Sequence, residues 1–173
     1  MVFIIDNDMN MNYETGTLEF SPHWLQFLCM EIIPIFLCFV LWVILGLENF
    51  VPEALRPFLL ALGCCLLMFL GYKLWYMMTI RYEITSQQLM FQHGVFNVER
   101  SYVELYRVVD YEERRNFLQM LMGLKTVCVY SGDRTTPRLD IIGVRQKTDL
   151  QTFIRERVEI QKKSKHIYEI TNR

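Results

Sequence analysis

Two long apolar stretches constrain this chain more than any other feature. Residues 24–47 read WLQFLCMEIIPIFLCFVLWVILGL, without a charge from Ile32 onward, and residues 58–80 read FLLALGCCLLMFLGYKLWYMMTI, with Lys73 as the single charge. At about 1.5 Å of rise per residue, each helix matches the roughly 30 Å hydrocarbon core of a bilayer. Neither stretch shows a polar face at 3.6-residue spacing, and a helix apolar all round needs lipid or a large core. A chain of 173 residues does not supply that core. The sequence therefore predicts two transmembrane helices, 24–47 and 58–80. The link ENFVPEALRP, residues 48–57, is short and carries Pro52 and Pro57. It makes the helices an antiparallel hairpin with both chain ends on one side.

Charge divides at the same place. Up to Ile80 there are seven acids and two bases, a net of −5; from Arg81 onward sixteen bases face twelve acids, a net of +4. That polarity points the C-terminal half toward an anionic surface or partner. Lys73 and Arg81 flank the exit of the second helix and the link offers only Arg56, so the positive-inside rule puts both termini in the cytoplasm. Residues 1–23 form a cytoplasmic arm, polar or strand-forming. The first twenty residues contain no Lys or Arg and so lack the n-region of a cleavable signal. Trp24, Trp42, Tyr72, Trp75 and Tyr76 lie toward the segment ends, where amphipathic aromatics suit the interface.

Glu31 and Lys73 are the ionisable groups within the spans, and such groups are functional candidates by default. Both stand within about two turns of a segment end, so the reading is snorkelling for Lys73 and interfacial depth or a helix–helix contact for Glu31. Cys29, Cys38, Cys64 and Cys65 fall in the spans and Cys128 in an expected strand. Their spacing matches no metal site or disulfide framework, and they read as small buried hydrophobes.

After Ile80 the periodicity changes. Tyr82 and Ile84, Leu89 and Phe91, then Phe96 and Val98 alternate, with His93-Gly94 as a turn; Val109 and Tyr111, Val127 and Val129, and Leu139 and Ile141 continue the pattern. Residues 116–123, NFLQMLMG, read as a short helical or looped excursion ended by glycine. Thr148 and Gln151 have capping-box spacing, and Leu150, Phe153, Ile154 and Val158 form one stripe of a closing helix. Six or seven strands and one amphipathic helix make a domain over residues 81–161, followed by a basic, polar tail, 162–173. Such a helix can plug the open end of a strongly bent sheet.

The strand with Tyr82-Glu-Ile-Thr85, the glycine hairpin at 89–98, the run YVELYRVV at 102–109, Gly123 before a strand and the final helix together resemble the bacterial pleckstrin-homology (PH) domain of small membrane proteins. The resemblance covers residues 68–160, and in that family the domain commonly follows a pair of transmembrane helices. It implies a membrane protein of α+β class at the bacterial inner membrane: a two-helix hairpin, then a PH-like antiparallel β-barrel or sandwich capped by a C-terminal helix. It also implies self-association through the domain. Relatives that bind phosphoinositides carry several bases on the first hairpin, to clamp phosphates; here the turn is Thr85-Ser-Gln-Gln88, without a base. No specific phosphoinositide site is expected. Lys73, Arg81, Lys162, Lys163 and Lys165 are the candidate contacts to the membrane surface.

No convergent set of nucleophile, base and oxyanion donors is legible, and His23, His93 and His166 have no readable acid partner. No nucleotide-binding fingerprint or aromatic-interleaved basic stripe is present. No catalytic residue, metal, cofactor or nucleic acid is expected. The favoured function is a non-enzymatic, membrane-anchored scaffold that forms a homo-oligomer, with an open sheet edge or Met120, Leu121 and Met122 as interface; the alternative for those three is that they close the barrel. The competing function is a dedicated binder of one membrane protein, such as an immunity protein against a toxin or an accessory subunit of a transporter or secretion system. There Gly63, Gly71 and Glu31 would face a partner helix.

Overall fold

A computed structural model describes residues 9–12, 16–47 and 51–165 of the chain. The rest of the expected arm, the start of the inter-helix link, and the end of the tail with His166 lie outside these residues.

The two apolar stretches form helices α1 (Leu25–Gly46) and α2 (Arg56–Met78), packed as a hairpin. Both are long and apolar enough to cross a membrane, and only 6% and 11% of their most apolar windows are buried within the protein. Helix α1 bends at Glu31, whose φ of −112° and ψ of 23° are not helical. The cause lies three residues on: Pro34 has no N–H to give the Met30 carbonyl, and its ring crowds that carbonyl.

Among the described residues, eight antiparallel strands form two sheets. The first contains β1 (Met9–Asn12), β2 (Thr17–Phe20), β3 (Arg81–Ile84), β4 (Gln88–His93) and β5 (Glu99–Glu104), in that order. The second contains β6 (Val108–Arg114), β7 (Leu124–Ser131) and β8 (Arg138–Arg145), in that order. The arm is thus part of the domain's sheet: β2 pairs with β3, Leu18 opposite Ile84 and Phe20 opposite Tyr82, so the whole hairpin is inserted between two neighbouring strands.

The sheets do not close into a barrel, which corrects that expectation. Between β5 and β6 the chain makes a single 3-10 turn, Leu105–Arg107, and the strands on either side of it do not pair. At the far edge, Tyr82 bridges the gap with its side chain. Its hydroxyl accepts from the Ile142 N–H at 3.2 Å and donates to the Asp140 carbonyl at 3.1 Å, so β8 is held by a phenol where a strand would otherwise pair.

The inward positions of both sheets, among them Ile84, Leu89, Val103, Val127 and Ile141, make one core with helix α4 (Leu150–Ser164). The α4 stripe of Leu150, Phe153, Ile154 and Val158 is buried as the spacing predicts. Its cap differs: the Asp149 carboxylate accepts from the Thr152 N–H at 3.3 Å, while the Thr148 hydroxyl is buried without a hydrogen-bond partner among the described residues. The helix starts one residue later than the capping box requires. The short helix α3 (Phe117–Leu121) fills the expected excursion, with its first free donor, the Asn116 N–H, bonded to Gln119 Oε1 at 3.0 Å. Phe96 and Val98 were expected in a strand. They stand exposed in the β4–β5 loop, which opens at Gly94 with φ of 111° and lets the next strand begin at Glu99.

Candidate functional site

The helices and sheets meet in a polar and aromatic junction. Opposite Thr126, β8 carries one extra residue, a bulge in which Gly143 has φ of 70°. The His23 N–H donates to the Gly143 carbonyl at 3.1 Å, just before α1 starts. A Cβ on Gly143 would lie 2.9 Å from that backbone nitrogen and 3.1 Å from Pro22 Cβ. Only glycine permits both the φ and the approach. The His23 ring completes the entry: its Nδ1 accepts from the Leu25 N–H at 3.2 Å, one of the donors a helix leaves free, and Arg145 Nη2 lies 3.2 Å from Nε2.

In the first turn of α1, buried Gln26 meets buried Gln119 of α3. The Gln119 amide donates to Gln26 Oε1 at 3.0 Å and to Thr126 Oγ1 at 2.9 Å, while its own oxygen accepts from Asn116. All its hydrogen-bonding capacity but one lone pair is used, as burial demands. This clamp ties α1, α3 and β7 together.

The exit from α2 is held by stacking. Phe20, Tyr82 and Phe91 stack in sequence at 5.2 Å between centroids, His93 continues the stack at 4.8 Å, and the Tyr76 ring of α2 meets His93 edge-on at 6.3 Å. Trp75, one residue earlier, meets Phe96 edge-on at 6.0 Å. Met77 and Ile80 are buried in the domain core. Burial, with the charge of Asp140 adding to it, pushes the Tyr82 phenol well above its ordinary range.

Within the hairpin, Lys73 Nζ lies 3.1 Å from Glu31 Oε1 and also over the Phe69 ring. The two ionisable candidates of the apolar helices are therefore one ion pair. Snorkelling alone does not describe Lys73, and Glu31 makes the helix–helix contact. The signal was available: six residues from the start of α1 and five from the end of α2 are the same depth in an antiparallel hairpin, about 8–9 Å. Gly63 also works inside the hairpin, where an added Cβ would meet the Trp42 indole at 3.4 Å and Leu41 at 3.6 Å. Gly71 has nothing within 4 Å, so the two glycines do not share one partner-facing surface. Cys64 and Cys65 are exposed on the hairpin, whereas Cys38 and Cys128 are buried.

The basic residues separate. Arg81 stands exposed at the junction. Lys162 and Lys163 line an open groove of about 580 Å³ between α4 and the first residues of β6, and Lys165 lies 3.9 Å over the Tyr106 ring. These three are at the strand ends away from the helices, about 20 Å from the end of β6 nearest α3. Lys73 and Arg81 are the candidates of the membrane-surface set that the fold puts beside the helices. Met120 and Leu121 are exposed and Met122 half-buried, so this excursion does not close a barrel.

A family model described as Bacterial PH domain matches residues 32–158. No curated protein and no solved structure matches the chain.

Proposed function

Since the chain belongs to the bacterial PH domain family, we propose that it is a non-enzymatic scaffold whose α1 and α2 span the inner membrane and hold the domain against the cytoplasmic leaflet. The observation that carries this reading is the junction: the chain enters α1 through Gly143, His23 and Gln26 and leaves α2 through Tyr76, Met77 and Ile80, each in contact with the domain. A domain gripped at both helix ends has one orientation, and fixed orientation favours assembly by raising effective concentration in the correct pose. Helices of 22 and 23 residues measure about 33–35 Å, enough for the hydrocarbon core with modest tilt. Lys73 and Arg81 at the domain end support a cytoplasmic domain and cytoplasmic termini. His23 is engaged in capping, while His93 stacks on Phe91 and, against the expectation that it has no acid partner, lies 3.7 Å from the exposed Glu99 carboxylate opposite it on β5; both arrangements favour a structural over a catalytic role.

Self-association is part of the proposal. The groove between α4 and the edge strand β6 supports it, with an apolar floor of Val108 and Val158 and a mixed rim in which Lys162 and Lys163 stand with Asp110 and the Arg155–Glu159 ion pair, suited to a segment of a second copy that carries both signs of charge. The test is gentle extraction of the full-length protein and native mass spectrometry. A symmetric homo-oligomer is expected. A monomer overturns self-association, and a stoichiometric foreign membrane protein replaces it with the dedicated-binder function.

A further inference from the structure

The junction leaves two sets of large apolar side chains uncovered, both at the level of the helix ends. On one side, the β4–β5 loop carries Phe96, 84% exposed, and Val98, 51% exposed. Phe96 contacts Trp75, which lies three residues inside the end of α2, so the loop reaches back alongside the helix by about one turn. On the other side, Phe117, Met120 and Leu121 of α3 are 74%, 58% and 73% exposed. Their i, i+3, i+4 spacing makes them one outward stripe. The opposite side of α3 is fixed by Gln119 to Gln26 in the first turn of α1, which sets the level of this stripe as well. Trp24, exposed beside that turn, adds a third aromatic at the same height.

Scattered exposed apolar residues need no explanation. These share one level, the one at which aromatic and amphipathic side chains meet the headgroups. We propose that the β4–β5 loop and α3 are two wedges inserted into the lipid interface of the bilayer that α1 and α2 cross, with Phe96, Phe117, Met120 and Leu121 against the acyl chains. The inference rests on the membrane-spanning reading of the hairpin. It makes the domain itself a lipid-contacting element, with three supports: the hairpin, the loop and α3. The partner is the hydrocarbon boundary of the cytoplasmic leaflet, and binding there follows apolar burial of the kind that holds amphipathic helices in the interface plane.

The test uses the full-length protein in vesicles of phosphatidylethanolamine and phosphatidylglycerol, with p-benzoylphenylalanine replacing Phe69, Phe96, Val109 or Leu121 one at a time. Val109 is exposed at the end of β6 far from α1 and α2 and gives the baseline; Phe69 reports the hairpin. After irradiation, phospholipid adducts at 69, 96 and 121 are expected several-fold above those at 109. Adducts at 69 with 96 and 121 at baseline overturn the wedges and leave the hairpin reading standing. Baseline yield at 69 overturns the hairpin reading and the wedges with it. Adducts between two protein copies at 96 or 121, in place of lipid, overturn the wedges in favour of a protein interface.

Discussion

Lys73 and Glu31 form an ion pair across the hairpin at 3.1 Å, and they are unequally shielded: the lysine side chain is 41% exposed and the glutamate 14%. Removing the lysine leaves the less accessible charge unpaired. Removing the glutamate leaves a long stem that can carry its ammonium to the headgroups. Lys73→Met is expected to destabilise the hairpin more than Glu31→Gln, with a coupling energy on the order of 1 kcal/mol in the double-mutant cycle. Unfolding in mixed micelles, followed by helical circular dichroism, measures both.

Two glycines with the same backbone conformation have different surroundings. Gly143 (φ 70°) faces backbone within 3 Å of an added Cβ, whereas Gly123 (φ 67°) has nothing within 4 Å. Gly123→Ala is expected to cost about 1–2 kcal/mol, the left-handed backbone penalty alone. Gly143→Ala adds a clash with the His23 backbone and reaches about 3–4 kcal/mol. Thermal unfolding of both variants in one detergent gives the difference directly.

Tyr82→Phe removes the hydroxyl and leaves the Asp140 carbonyl and the Ile142 N–H without it. A cost of about 1–3 kcal/mol is expected, the penalty of buried groups left unsatisfied. The pH dependence has a definite sign. Burial raises the folded-state value of this phenol, so the unfolded chain releases the proton first as pH rises beyond about 10, and stability falls from there upward. Below that range the stabilisation is complete. Tyr82→Phe should flatten the alkaline decline relative to the parent, as read by denaturant midpoints across an alkaline series.

Lys125 is buried on β7 with Nζ 2.5 Å from Glu113 Oε1, and Arg115 holds the other carboxylate oxygen at 3.2 Å. Burial works against the Glu113 charge, but the two cations prevail and hold its carboxyl below the ordinary range. The contribution of Glu113 is therefore fully present above the unfolded carboxylate range and is lost as pH falls from there through the lowered folded-state value. Glu113→Gln, which strands a buried ammonium, is expected to destabilise more than Lys125→Met, which removes it. Melting temperatures at neutral pH rank the pair, and the acid side of the profile should flatten in Glu113→Gln.

Periodicity carried much of the architecture into the sequence. The apolar runs and the α4 stripe are legible because lipid or core contact repeats a pattern along one element, and the α3 excursion because Gly123 marks its end. Contacts between distant segments left no such trace. The β2–β3 pairing joins strands separated by the whole hairpin, and Gln26 with Gln119 are two ordinary polar residues until the fold buries them. Phe96 and Val98 misled for a physical reason: alternation marks a strand only where one face is covered, and these two stand exposed in a loop that opens at Gly94. Thr148 misled because Asp149, one position on, is an equally good cap and leaves the helix to begin at Leu150.

The position of the hairpin between β2 and β3 sets an order of events during synthesis. Phe20 emerges from the ribosome before either helix, and its partner Tyr82 emerges only after both. If the two helices cross a bilayer as proposed above, the first sheet completes itself only after α1 and α2 have been threaded through it and have returned the chain to the side on which β2 waits. A molecule that inserted one helix alone would then have no route to Leu18–Ile84 pairing. On that proposal, strand pairing would act as a checkpoint on insertion.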